Sequence, residues 1–313
     1  MARRLWLLVA LLGLCCMLYM TWGARAPWGF VLPFRGTKLA ALLLVGVSVS
    51  TATLMFQTIT QNRILTPSIM GFDALYVFLL TSAVFAFGGM NFVQVQPQIT
   101  FLVAAVALTC ASLLLFSTML ITARSDLLRM VLTGIIFGAL CRSLTSFLQR
   151  MMDPNEFAVV QVASFARFTQ IETDLLALAA VITSFVFARA WQLRHRLDVL
   201  ALGRGTAITL GEPPRRLELE VLILIAILVS VSTALVGPVA FLGLLVVSIA
   251  RLITRTETHR YLFPSAALIA GVTLVGGQLL MERVFQLTTP LSVVIDLVGG
   301  LVFLMLLLKG LRR

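Results

Sequence analysis

The sequence predicts an all-α polytopic membrane protein of about ten transmembrane helices with both termini in the cytoplasm. Three observations predict it: a composition starved of charge, a succession of long apolar runs, and the side on which lysine and arginine fall. Of 313 residues, 60% are hydrophobic and only 12% are charged, against about 25% charged in a soluble domain. Mean hydropathy is +1.03. Runs of about 18 or more apolar residues, each long enough to cross ~30 Å of hydrocarbon, follow one another from end to end.

The spans drawn from these runs are 5–22, 39–59, 72–88, 98–121, 128–148, 172–190, 217–236, 239–253, 263–281 and 290–308, in a single transmembrane domain over 1–313. The first, with Arg3 and Arg4 ahead of Leu5 to Met20 and the small residues Ala24 and Ala26 behind it, has the outline of a signal peptide. Leu14 before Cys15 does not fit a lipoprotein site, and so many later spans favour an uncleaved first helix. The second is rich in small and hydroxyl residues, among them Ser48, Ser50, Thr53 and Gln57. Such a helix either packs closely in the interior or lines a wet translocation pathway. The third opens near Pro67-Ser68 with Asp73, where a carboxylate caps a helix or serves a function. The fifth carries Arg142. The eighth is the weakest, short and close behind Gly237-Pro238, and the tenth holds Asp296.

Orientation follows from the basic residues. With the N-terminus inside, seventeen of the 24 lysines and arginines fall on the cytoplasmic side, and Arg142 lies within a span. The other six, Arg25, Arg35, Lys38, Arg150, Arg167 and Arg283, fall outside. One helix more or fewer in the middle would scramble this asymmetry. The net charge of +11 therefore marks topology rather than a nucleic-acid surface, because the charges sit in short segments between apolar runs.

Two interruptions are long. Gln192 to Arg216, inside, contains the short potential helix 197–203 and then Gly205, Gly211 and Pro213-Pro214. A plain connection needs only a few residues, so this segment is read as a docking element, with a solvated basic loop as the alternative. Gln149 to Ile171, outside, carries Asp153-Pro154-Asn155-Glu156 and an apolar pattern that predicts a short surface helix.

Enzyme chemistry is not legible. There is no G-x-x-x-x-G-K-[ST] phosphate loop, so the chain does not drive transport with ATP by itself. No H-E-x-x-H or G-x-S-x-G occurs, and His195 and His259 sit alone on cytoplasmic loops. Cys15, Cys16, Cys110 and Cys141 lie inside apolar runs without ligand spacing. An ion-coupled secondary transporter would want carboxylates near the midplane, which keeps Asp73 and Asp296 in view. A non-transporting membrane scaffold is the third class.

Four segments carry a resemblance. Phe34-Arg35-Gly36-Thr37-Lys38-Leu39-Ala40 resembles an "R-L-P-R-T-L" entry into a second span, and Gln61 through Gly71 resembles "N-P-L-A-x-P-x-x-L-G". Leu200-Ala201-Leu202-Gly203 through Leu210-Gly211 resembles "L-A-L-G-E-x-A-x-x-L-G". Gly237-Pro238-Val239-Ala240-Phe241-Leu242-Gly243-Leu244, with His259-Arg260 and Pro264 downstream, resembles "G-P-I-G-F-V-G-L…H-R…L-P". In this order, they resemble the permeases of binding-protein-dependent ABC importers for iron–siderophore and cobalamin uptake, in flavour closest to those for catecholate siderophores. Departures are Arg204 for an acidic residue, Asn62-Arg63 for "N-P", Val247-Ser248 for proline-histidine and Gly71-Phe72-Asp73 for "G-V-S".

The resemblance implies a cobalamin-importer-permease-like fold in the bacterial inner membrane that moves a ferric siderophore. It implies a second, different permease, two ATPase subunits that hold the ATP and magnesium, and a periplasmic binding protein, with no cofactor or metal on this chain. Leu200, Ala201, Leu202, Gly203, Arg204, Leu210 and Gly211, within the loop 192–216, would enter the ATPase cleft. Arg35, Lys38 and Arg283 would meet acidic residues of the binding protein, Lys38 less well because an ammonium lacks the bidentate fork.

Overall fold

Each apolar run becomes a helix, and where the sequence suggests one short helix in the loop 192–216 the structure has two. The chain is seen in a computed structural model that describes residues 2–23, 27–122, 127–166, 168, 171–285 and 290–310. In order the helices are α1 (Ala2–Thr21), α2 (Trp28–Ile59), α3 (Asp73–Phe87), α4 (Gly89–Gln94), α5 (Pro97–Thr122), α6 (Leu127–Met151) and α7 (Pro154–Ala163). There follow α8 (Thr173–Gln192), α9 (Arg194–Ala201), α10 (Arg204–Thr209), α11 (Pro214–Val236), α12 (Leu242–Thr254), α13 (His259–Leu279) and α14 (Leu291–Gly310). Wide turns at Ser68–Phe72 and Leu280–Val284 lead into α3 and out of α13. No strand occurs among the described residues. Arg25, Arg124, Arg167, Arg312 and Arg313, all used in the charge count, lie outside the described residues.

Among the described residues eight helices are long and apolar enough to cross a membrane, and the stretches Leu242–Thr254 and Leu291–Val302 are shorter. At 1.5 Å per residue α12 measures about 20 Å, so the weak eighth span does not reach across by itself. Entry to it is an extended segment, because Gly237 ends α11 at φ 99 with its backbone against Ala166.

The centre is built from α2, α11 and α13, the most buried of the long helices. α2 packs on α13, α11 and α12, while α1 leans on α13, α5 on α11 and α6 on α3. Lipid removes the hydrophobic drive between helices, so close packing through small residues takes its place. A Cβ on Gly46 would stand 3.2 Å from the Ala270 side chain, and one on Gly243 would fall inside the Thr53 hydroxyl. Perimeter helices keep apolar side chains outward, Val103 on α5 and Phe185 on α8 among them. The four tryptophans, Trp6, Trp22, Trp28 and Trp191, all lie near helix ends, where an aromatic belt belongs.

α2 begins eleven residues before its expected start at 39. Charge at Arg35 and Lys38 and the proline at Pro33 made this stretch look like a loop. Pro33 lies inside the helix, where it forgoes the hydrogen bond to the Gly29 carbonyl, and the charges find partners inside the molecule.

Candidate functional site

The site that stands out is the hairpin formed by α9 and α10. Gly203 at φ 106 turns the chain between the two helices, and Gly211 at φ 82 ends the second. Both conformations favour glycine. Three arginine–glutamate pairs gather around the hairpin: those of Arg196 and Arg204 hold it, and that of Arg189 ties α8 to α11 beside it. Arg189 pairs with Glu220, Arg196 with Glu212 at 2.8 Å through Nε, and Arg204 with Glu218 by two parallel bonds of 2.8 and 2.5 Å. Glu218 is buried, so Arg204 neutralises a carboxylate that would otherwise stand alone at the foot of α11. The residue that departs from the family motif is thus accounted for by its partner.

Within the motif the side chains divide. Leu200 faces inward at 1% exposure beside Leu197 and Ala207. Leu202 and Leu210 face outward at 64% and 61%. Leu200 is therefore not on the surface that sequence reading gave it. Ile208, 62% exposed, joins the outward pair and was not singled out. A helix carrying Gly205, Thr206, Ile208 and Thr209 has low intrinsic propensity, which hid α10. The result is a rigid polar frame with three large apolar side chains at its tip.

The hairpin is bonded to the core from beneath. Gln61 Nε2 donates to the Leu200 carbonyl at 3.2 Å. The Asp198 carboxylate on α9 accepts from the His259 backbone N–H at 2.8 Å and lies 2.6 Å from its Nδ1. Nε2 of His259 in turn lies 2.8 Å from the Thr58 hydroxyl on α2. Burial pushes the Asp198 carboxyl up, but the two bonds from His259 and the charges of His259 and His195 outweigh it and hold it below its usual range. His259, 2% exposed, is thus no solvated loop residue. Beside it opens a cleft of about 610 Å³ lined by Gln57, Arg63, Asp198, Arg251, Glu257 and His259, among others.

The second predicted cluster gathers at the other end of the molecule. Arg35 is 8% exposed, and its guanidinium donates to the carbonyls of Tyr19, Met20, Trp22 and Gly23 at 2.9–3.0 Å. The end of a helix leaves its last carbonyls unpaired with a partial negative charge, and Arg35 caps α1. Lys38, equally buried, pairs with Glu282 at 3.5 Å and lies over the Phe34 ring. The Arg283 guanidinium packs on Gly23. The three cations do converge, but Arg35 and Lys38 are engaged inside the chain rather than offered outward. Arg283, half-buried, is the member with free surface.

The hydroxyl residues of α2 make contacts within the chain. Ser48 meets the Thr183 hydroxyl of α8 at 3.3 Å, Ser50 bonds back to Val47 O, and Thr53 abuts Gly243. Gln57 donates to Arg63 O and accepts from Arg251 at the rim of the cleft. All four are buried within the chain, and Thr53 and Gln57 also border cavities. Asp296 accepts from the Phe241 N–H at 3.2 Å at the start of α12, and Asp73 borders a small cavity between α2 and α11. No group of histidine, cysteine and acidic residues able to hold a metal occurs among the described residues.

One element was legible and overlooked. Gly134 and Gly138, four apart on α6, receive the turn at Gly71, whose Cα comes within 3.2 Å of a Cβ placed on Gly138. The small-x-x-x-small spacing was the available signal.

Comparison with known proteins matches this architecture. The chain is 44% identical to the petrobactin import system permease protein YclO of Bacillus subtilis, over 97% of this chain and 96% of that one. It is 33% identical to the petrobactin import system permease protein FatC of Bacillus anthracis, over 88% and 78%. A metal-chelate type ABC transporter solved in an inward-facing conformation shares the fold with a TM-score of 0.82 at 21% identity, covering 98% of this chain and 99% of that one. The FecCD transport family matches residues 5–309, and the chain belongs to that family.

Proposed function

We propose that the chain is the permease subunit of a binding-protein-dependent ABC importer that carries a ferric siderophore across the bacterial inner membrane. It works beside a second permease, two ATPase subunits that bind ATP and magnesium, and a periplasmic binding protein. The observation that carries this reading is the α9–α10 hairpin. Leu202, Ile208 and Leu210 stand exposed on a frame held by the ion pairs of Arg196 and Arg204. Large apolar side chains fixed at the tip of a polar hairpin are suited to a protein pocket, and an ATPase cleft is that pocket. Asp198, His259 and Thr58 then join the hairpin to α13 and α2, so displacement of the tip is passed to two central helices. A siderophore cargo is supported by the names of the similar petrobactin permeases. Docking of the binding protein is assigned to Arg283, with Arg35 and Lys38 behind it.

The test is co-purification and transport. The chain is expressed with the ATPase and second permease of such an importer, reconstituted in liposomes, and supplied with binding protein and ferric petrobactin. ATP-dependent uptake is expected, and Ile208→Asp is expected to release the ATPase while the permease stays at normal abundance. Uptake that follows an ion gradient without ATP would instead establish a secondary transporter.

A further inference from the structure

Among the described residues Arg142 is a charge without a partner in the middle of a candidate membrane span. It stands ten residues from Leu132 and nine from Met151, the ends of the candidate span on α6. That is about 15 Å from either end at 1.5 Å per residue, too far for a snorkelling side chain to bring its head to water. Among the described residues Arg142 makes no ion pair and no hydrogen bond. Its guanidinium lies back over Gly138, with Nη1 3.4 Å from the place of a Cβ there.

The face it occupies is distinct from the packed one. Gly134, Gly138, Cys141 and Thr145 are buried against the Gly71 turn and α3. Arg142, Ser143, Ser146 and Arg150 are exposed on one side of the remaining arc and follow one another toward the end of the helix, with Ile136, Leu140 and Phe147 exposed on its other side. Asp73, the intramembrane carboxylate on the helix that α6 packs against, turns instead into a cavity bordered by Val45, Thr53 and Ser232. A guanidinium and two hydroxyls are not lipid-facing groups at this depth. They belong against water or a polar solute.

Resting on the permease reading above, we propose that Arg142, with Ser143 and Ser146 beside it, is a recognition point for the anionic ferric chelate inside the translocation pathway. A ferric ion held by hard oxygen donors such as catecholates and carboxylates commonly carries net negative charge. The guanidinium offers that charge several donors at once. Arg150, two turns further along the same face, would meet the anion first. Arg142 attracts the chelate without trapping it, because a single exposed cation binds weakly beside water.

The test uses the reconstituted transporter with wild-type ATPase, second permease and binding protein, and radio-iron petrobactin as the probe. Arg142→Gln is expected to lower uptake roughly tenfold while ATP hydrolysis stimulated by the binding protein stays near the wild-type rate. Arg142→Lys, which keeps the charge, is expected to recover part of the uptake. Unchanged uptake by Arg142→Gln overturns the proposal. So does loss of the second permease on purification of Arg142→Gln, which would assign the guanidinium to a carboxylate of the partner. If the wild-type transporter moves neither petrobactin nor ferric enterobactin, the cargo reading fails and this proposal fails with it. Uptake by wild type and Arg142→Gln alike removes Arg142 alone.

Discussion

Arg35 shows how a residue's type and place can be legible while its task is not. A cation at the membrane edge serves a topological anchor, a docking contact or a helix cap equally well, and all three want positive charge there. Only the position of the α1 terminus decides, and four carbonyl bonds decide for the cap. Arg35→Ala should therefore lower membrane abundance and the melting temperature in detergent, by about 1–3 kcal/mol for carbonyls left buried and unpaired. Normal abundance with weakened binding-protein affinity would return Arg35 to docking. Gly71 makes the parallel case among small residues. Its φ of 98 and the Gly138 backbone 3.1 Å from its missing Cβ leave no room for a side chain. Gly71→Ala should destabilise by about 1–3 kcal/mol, read as faster loss of the purified protein on heating. Equal heat resistance would mean that the α6 contact relaxes at no cost.

The hairpin is where element and sequence meet most closely. Its punctuation was legible, since Gly203 and Gly211 both take left-handed conformations. Its second helix was not, because nothing local stabilises α10 apart from a pair made across fourteen residues between Arg204 and Glu218. That pair should respond unequally to its two halves. Arg204→Ala leaves a buried carboxylate without a partner, whereas Glu218→Gln removes the charge and keeps an acceptor, so the first should lower thermal stability more than the second. Equal losses would mean that the pair is solvated in the membrane-bound protein. Asp198 invites a finer substitution. Asp198→Asn retains an oxygen for the His259 N–H but loses the charge facing the ring. Under the proposed coupling role, chelate moved per ATP hydrolysed should fall by severalfold with the protein at normal abundance. An unchanged ratio would reduce the link to a structural cap of α13.

At the scale of the molecule, ten segments drawn from hydropathy all became helices, and the misjudged boundaries lay where charges enter the helices. What hydropathy does not decide is which end of the bundle faces the cytoplasm; that rests on the lysine and arginine asymmetry, part of which the fold neutralises. Arg189, Arg196 and Arg204 are paired with glutamates at the hairpin end, and Arg35 and Lys38 are engaged at the other. The proposed coupling to a cytoplasmic ATPase requires the hairpin to be inside. Single cysteines separate the two orientations. The native thiols lie within the span helices α1, α5 and α6, so an impermeant maleimide should give little background on the wild type. Asn155→Cys, beside the α7 cap at Asp153, should be labelled in intact cells. Thr206→Cys, exposed on α10, should be labelled only after the membrane is opened. Labelling of Thr206→Cys in intact cells would invert the molecule, put the hairpin on the wrong side for any cytoplasmic ATPase, and overturn the importer reading together with the topology.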